Sequence, residues 1–250
     1  CFGDESNSYL GDGRAVSGVP GSVKNLSSRT SATAGDYHSC SVGSGGDVHC
    51  WGKNDAGQLG AGDLVTPRSE PNSISSFSAS DVSAGNGYTC AVSSGNVYCW
   101  GELQGFPSLG IDEYTTLSNT TAEITSATHY STDIEHGCAL ISGGTLKCWG
   151  YGGNGQLGIA SYGKSSSSPE SVIGITNTTQ VSTQGQTTCS LLDNGTVMCW
   201  GANEAGGLGI GSTTRKYTPV SVSGISTATQ ISFGRSYQVF CAVLSGGSIK

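Results

Sequence analysis

The sequence predicts an all-β repeat protein, and three observations carry that prediction. Gly supplies 40 of the 250 residues, while charged residues make up only 12%. Beside the glycines stand Ser, Thr, Val, Ile, Tyr and Trp, the residues of turns and strands rather than helices. No stretch shows sustained apolar periodicity near 3.6 residues, so helices find no support. Finally, one unit of about fifty residues is written five times.

The repeat is anchored on Cys–aromatic–Gly. It stands at Cys1-Phe2-Gly3, Cys50-Trp51-Gly52, Cys99-Trp100-Gly101, Cys148-Trp149-Gly150 and Cys199-Trp200-Gly201, a period of 49 to 51 residues. The copies run 1–49, 50–98, 99–147, 148–198 and 199–250 and are read as one repeat domain spanning 1–250. A Leu-Gly pair follows each anchor at Leu10-Gly11, Leu59-Gly60, Leu109-Gly110, Leu157-Gly158 and Leu208-Gly209. Next comes a loop, then a Pro opening an alternating segment at Pro20, Pro71, Pro169 and Pro219; the third copy lacks this Pro.

Each copy closes on a second Cys and a short hairpin whose register follows from arithmetic. Directly opposed hairpin residues have position numbers of constant sum. Cys40/Cys50 share their sum with Val42/Val48, and Cys90/Cys99 with Val92/Val97. The same holds for Cys138/Cys148 with Leu140/Leu146 and for Cys189/Cys199 with Leu191/Val197. Gly-bearing turns such as Asp193-Asn194-Gly195 lie between. Each Cys pair therefore faces itself across an antiparallel ladder, about 4.5 to 5.5 Å apart at Cα and within disulfide reach. The fifth hairpin carries Cys241, Val243 and Ile249, and its opposing Cys would fall one position past Lys250. Cys1 carries the missing anchor, so the pattern is circular. A Cys1–Cys241 bond is expected, closing the ring in cis, or joining copies head to tail in trans; a fragment of a longer array is the third alternative.

The unit Cys50 to Gly60, Cys-Trp-Gly-Lys-Asn-Asp-Ala-Gly-Gln-Leu-Gly, preceded in each copy by segments like Tyr88-Thr89-Cys90, resembles the regulator of chromosome condensation repeat. The resemblance extends over the whole chain, in phase. It implies a β-propeller with about one repeat per blade, and the Cys-paired form is similar to repeats of secreted proteins. Five copies depart from the seven blades familiar in that family.

Other motifs are weighed against this frame. Metal-binding thiolates cluster two to four residues apart, and the ten Cys do not, so no metal site is read from them. One structural disulfide per repeat accounts for all ten, and that implies an oxidising compartment. An N-terminal Cys can carry a lipid, but that would leave Cys241 unpaired. Gly158 to Ser165 matches a phosphate loop, and Gly153, Gly155 and Gly158 match a dinucleotide fingerprint. Both need a following helix, and Ser165 to Pro169 offers none. No cofactor site is read. His38 and His136 sit two residues before a Cys, where other copies have Tyr88 and Thr187, so they read as blade residues rather than bases. The four Trp and Phe2 share one repeat position and read as packing residues. No set of residues breaks the repeat in a way that suggests catalysis, and no enzyme is expected.

A net charge of −7 with 11 basic residues, none clustered, argues against nucleic acid. No apolar run reaches the roughly 18 residues of a membrane span. N-glycosylation sequons occur at Asn25, Asn119, Asn177 and Asn194. About three of the eleven Asn would match by chance in so Ser- and Thr-rich a chain. The loops after Leu-Gly diverge most between copies, and recognition sits on such loops. The expected function is an extracellular or cell-surface scaffold in structural, adhesive or self-assembling roles, with a protein partner or copies of itself. A secreted protein-binding inhibitor is the alternative. The family's nuclear guanine-nucleotide exchange fits poorly with five disulfides.

Overall fold

The computed structural model describes residues 11, 21–102, 118–119, 124–234 and 239–250. All regular structure among them is β. The chain divides into two compact units, Cys1–Thr125 and Ser126–Lys250.

The first unit holds two antiparallel sheets, each a simple meander. One consists of β1 (Arg29–Ala34), β2 (His38–Gly43), β3 (Asp47–Gly52) and β4 (Arg68–Ser78). The other consists of β5 (Asp81–Ala84), β6 (Tyr88–Ser93), β7 (Asn96–Gly101) and β8 (Ser118–Asn119). The second unit repeats the plan with β9 (Ala127–Thr132), β10 (His136–Ile141), β11 (Thr145–Gly150) and β12 (Ser166–Ser171), then β13 (Thr178–Gln184), β14 (Thr187–Leu192), β15 (Val197–Gly201) and β16 (Lys216–Ser221). A hairpin of β17 (Ala228–Phe233) and β18 (Phe240–Leu244) follows, extended by a bridge between Val243 and Ile249. The repeat anchor Cys50 falls inside β3, so each sheet takes its first strands from one sequence copy and its last from the next. The breaks between sheets fall in short linkers such as Gly174-Ile175-Thr176-Asn177, where the chain has left the strands while Ile175 stays in the core.

The central hairpin of each four-stranded sheet has the register read from the sequence, with Cys opposite Cys in all four. Disulfides join Cys40–Cys50, Cys90–Cys99, Cys138–Cys148 and Cys189–Cys199, each pair 4.1 Å apart at Cα. That spacing lies just below the narrow pair of an ordinary ladder, about 4.5 Å. Cys241 is exposed and has no cystine partner among the described residues, and Cys1 lies outside them.

The disulfides are core residues. In the first unit Cys40 and Cys50 pack with Val42, Val48, Leu59, Ile74 and the next copy's Trp100. In the second, Cys138 and Cys148 pack likewise with Leu140, Leu146, Leu157, Val172 and Trp200. A core in which one sheet leans on the next explains the alternation. Inward positions of each strand face the neighbouring sheet, so apolar side chains and cystines recur at period two.

Candidate binding face

The meander gives every sheet two unlike ends. The β2–β3, β6–β7, β10–β11 and β14–β15 connections are tight turns, and each marks the turn end of its own sheet. At the opposite, loop end of each sheet lie its β1–β2 type connection and the long loop after Leu-Gly.

The loop end rests on a rigid floor. Trp100 is fully buried, and its Nε1–H donates to the Gln58 carbonyl at 3.0 Å. Thr89 Oγ1–H donates to the same carbonyl at 2.7 Å, and His38 Nε2 lies 2.7 Å from that hydroxyl. Since the hydroxyl proton is spent on the carbonyl, Nε2 must be the protonated nitrogen of His38. The second unit builds the same set: Trp200 Nε1–H to the Gln156 carbonyl at 2.8 Å, Thr188 Oγ1–H to it at 2.8 Å, and His136 Nε2 at 2.7 Å from Thr188. Burial holds the His136 imidazole down to a pKa of about 4, so the ring is neutral at pH 7. The glycine of Leu-Gly admits the indole. Gly158 has φ +69°, and a Cβ there would meet Trp200 Nε1 at 2.8 Å.

Buried asparagines hold the divergent loops. Asn54 Nδ2 donates to the Asp63 carbonyl at 2.8 Å, and its Oδ1 accepts Leu59 N–H at 3.0 Å. Asn203 does the same with the Ser212 and Thr214 carbonyls and Leu208 N–H. The copy anchored at Cys148 has Gly152 at this position. Its N–H donates to Ser165 Oγ at 3.2 Å, and a Cβ would lie 1.8 Å from the Lys164 carbonyl oxygen. There the loop backbone itself occupies the space that an asparagine fills elsewhere.

On this floor the exposed groups are polar. In the first unit a groove of about 390 Å³ is lined by Tyr37, Lys53, Asp55, Gln58, Asn86 and Glu102. Lys53 Nζ is 2.7 Å from Asp55 and 5.1 Å from the Tyr37 ring centroid. Burial alone would raise the Asp55 pKa, but bonds from Lys53 and Gln58 hold it below the usual carboxylate value. Asn86 donates to Asp36. In the second unit a chain of side chains runs Glu135–Gln186–Asn154–Arg215–Glu204, with Arg215 donating to Asn154 Oδ1 and Glu204 Oε1 at 2.8 Å each. Partial burial raises the Glu135 pKa, and the nearby Asp133 charge adds to the rise. Tyr162, 77% exposed, meets Tyr217 edge to face at 5.5 Å between centroids. Tyr and Arg are the side chains that concentrate binding energy at interfaces.

The sequence-read residues fall into place around this geometry. Trp51, Trp100, Trp149 and Trp200 are buried, as are His38 and His136; Phe2 lies outside the described residues. Asn25, Asn177 and Asn194 are exposed. The two phosphate-loop look-alikes lie on a loop between β11 and β12, with no helix following. Among the described residues no three His, Cys, Asp or Glu side chains group as metal ligands. None of the helices a membrane span would need is present there. The His–Thr–carbonyl set escaped the sequence reading, although His two before one Cys and Thr one before the next was its visible trace.

Models of the regulator of chromosome condensation (RCC1) repeat match residues 45–92 and 194–241. A second model of the same repeat matches 30–58 and 179–206. The chain belongs to the RCC1 repeat family. It is 29% identical over 219 residues to the probable E3 ubiquitin-protein ligase HERC4 of Rattus norvegicus, covering 82% of this chain and 20% of the ligase. It is 28% identical over 202 residues to the ultraviolet-B receptor UVR8 of Arabidopsis thaliana, covering 76% of this chain and 45% of the receptor. The chain thus spans about a fifth of the ligase and under half of the receptor. Among solved structures it is similar to yeast RCC1 (Prp20) bound to Kap60, with TM-score 0.81, 20% identity and coverage of 100% of this chain and 63% of the other. Human WBSCR16 follows at TM-score 0.78 and 20% identity, over 94% and 64% of the two chains. These likenesses fix the fold as an RCC1-repeat β-propeller scaffold, with disulfide-stapled sheets as its blades.

Proposed function

We propose that this chain is a non-enzymatic propeller scaffold of an extracellular or cell-surface compartment, serving structural, adhesive or self-assembling roles through its loop ends. The observation that carries this is a contrast within one repeat. The same floor occurs once in each unit, with Trp100 and Thr89 on the Gln58 carbonyl and Trp200 and Thr188 on the Gln156 carbonyl, while the loops above it differ in anchor and charge. A rigid frame under variable polar and aromatic loops is the design of a recognition surface. Four cystines buried at the centre of the sheets favour an oxidising compartment. Solved relatives engage proteins: yeast RCC1 was crystallised with Kap60, and its binding to Gsp1p and histones has been characterised. Catalytic activity of the ligase relatives belongs to chains about five times longer than the match.

Size-exclusion chromatography and electron microscopy of the natural protein test the reading. Polymers, or adhesion to copies of itself that Tyr162→Ser weakens without lowering thermal stability, support it. Monomers holding one tight heterologous protein would replace it with the inhibitor-type reading.

A further inference from the structure

The four sequons are not scattered over the fold. Asn177 immediately precedes β13, and Asn194 lies in the β14–β15 turn. Both belong to the turn end of one sheet, where Asp193 N–H donates to the Asn177 carbonyl at 3.0 Å. Asn25 sits in the turn that leads into β1, just ahead of the point where Ser44 N–H, from the β2–β3 turn, reaches the Ser28 carbonyl at 2.9 Å. The register of β8 puts Asn119 opposite Tyr98, in the turn-end half of its sheet. The asparagines of the loop end behave differently. Asn54, Asn86, Asn154 and Asn203 all follow or join strands at that end, and none has Ser or Thr two residues on.

The motif alone divides the ends only in part, since Asn96 beside the β6–β7 turn has Tyr98 two residues on. Geometry adds a second distinction. Asn54 and Asn203 are fully buried, with their amides spent on loop carbonyls. Asn25, Asn177 and Asn194 are exposed. Asn25 and Asn177 take φ of 55° and 60°, the left-handed conformation that asparagine tolerates better than most residues. Asn194 Oδ1 accepts Thr196 N–H at 2.9 Å, which keeps that side chain on the surface of its turn.

We propose that Asn25, Asn177 and Asn194 carry N-linked glycans, confined to the turn ends of their sheets, and that the loop ends stay bare for partner contact. The inference rests on the proposed passage through an oxidising secretory compartment. The chemistry needs a polyprenyl-pyrophosphate-linked oligosaccharide as donor. The asparagine amide nitrogen bonds to the anomeric carbon, the carbon–oxygen bond to pyrophosphate breaks, and the amide gives up one proton. A bulky hydrated sugar is tolerated on these asparagines because the turn backbone packs while Asn25, Asn177 and Asn194 themselves stay exposed. The same sugar at a loop end would shield the groups that meet a partner.

The test uses the natural protein isolated from its source with free thiols blocked at lysis. Non-reducing peptide mapping reports the cystines, and glycosidase digestion in heavy-oxygen water marks each asparagine that carried a sugar. Expected are intact hairpin cystines, label at Asn25, Asn177 and Asn194, and none at Asn54, Asn86, Asn154 or Asn203. Intact cystines with all three acceptors unlabelled would overturn the glycan assignment and leave the compartment reading standing. Blocked, reduced hairpin cysteines would instead overturn the compartment reading, and the glycan assignment with it. Label at any loop-end asparagine would overturn the division between the two ends. Asn25→Gln, Asn177→Gln and Asn194→Gln should each remove one step of electrophoretic mobility while leaving the cystines formed.

Discussion

Trp200 offers the most discriminating perturbation of the frame. Its indole is fully buried, fills the space above Gly158 and donates to the Gln156 carbonyl at 2.8 Å. Trp200→Phe keeps the aromatic body and removes the pyrrole edge. The vacated volume is roughly 40 Å³, worth about 1 kcal/mol at ~24 cal/mol per Å³ of cavity. The lost hydrogen bond adds about 1 kcal/mol rather than more, because the carbonyl keeps Thr188 as a partner. The expected cost is therefore about 2 kcal/mol. Trp200→Ala empties the site and should cost about 3–5 kcal/mol. For a chain of this size the phenylalanine variant should lose about 4–8 °C in Tm. The assay is thermal and denaturant unfolding of the oxidised proteins, followed by circular dichroism, with disulfide content checked before and after. If Trp200→Phe proved as damaging as Trp200→Ala, the hydrogen bond would outweigh packing. If Trp200→Ala kept wild-type stability but lost partner binding, the indole would be a recognition group and the frame argument would be wrong.

Other outcomes follow from the same geometry. His136 has a folded pKa of about 4 against an ordinary 6.5, so the unfolded chain binds the extra proton between those values. Stability should fall as pH drops from about 6.5 to 4, by up to about 3 kcal/mol from this residue; His136→Gln, followed by denaturant titration across that range, should flatten the dependence. Gly158→Ala should destabilise by more than Gly163→Ala, because both have positive φ but only the first drives a Cβ into Trp200 and Val172 while the second opens onto empty space; equal melting losses would sink the close-approach argument. Replacing the Cys189–Cys199 pair with Ser should cost about 2–3 kcal/mol by loop-closure entropy, measured against the oxidised parent. Non-reducing peptide mapping should return a Cys1–Cys241 peptide, within one chain or between two, and free thiols at both would refute the circular reading of the repeat.

Much of this fold was written locally. Opposition of Cys40 to Cys50 needs only a tight turn and a two-residue period, so the position numbers were enough to set the hairpins and their cystines. Burial of Trp100, Trp149 and Trp200 followed from their shared repeat position, because a residue type held across copies whose loops differ serves the frame. The sequence by itself therefore determined strand class, hairpin register and the identity of the packing residues. What it could not settle was set by contacts about fifty residues apart. His136 meets Thr188, and Trp200 meets the Gln156 carbonyl, only when one sheet leans on the next. A backbone carbonyl leaves no mark on composition, so its role as a shared acceptor was invisible. The sheets also cut across the sequence copies, with Cys50 inside β3. The repeat is counted from its clearest letters, whereas the sheet is bounded by where the chain leaves a hydrogen-bonded ladder. Hairpin register already placed Asn194 in a turn, but only the tertiary structure separated Asn203, buried as a loop anchor, from Asn177, exposed on a turn. Sequence spacing fixes which residues pair along a strand, but which end of the strand meets water and which meets a neighbouring loop depends on the packing of sheet against sheet.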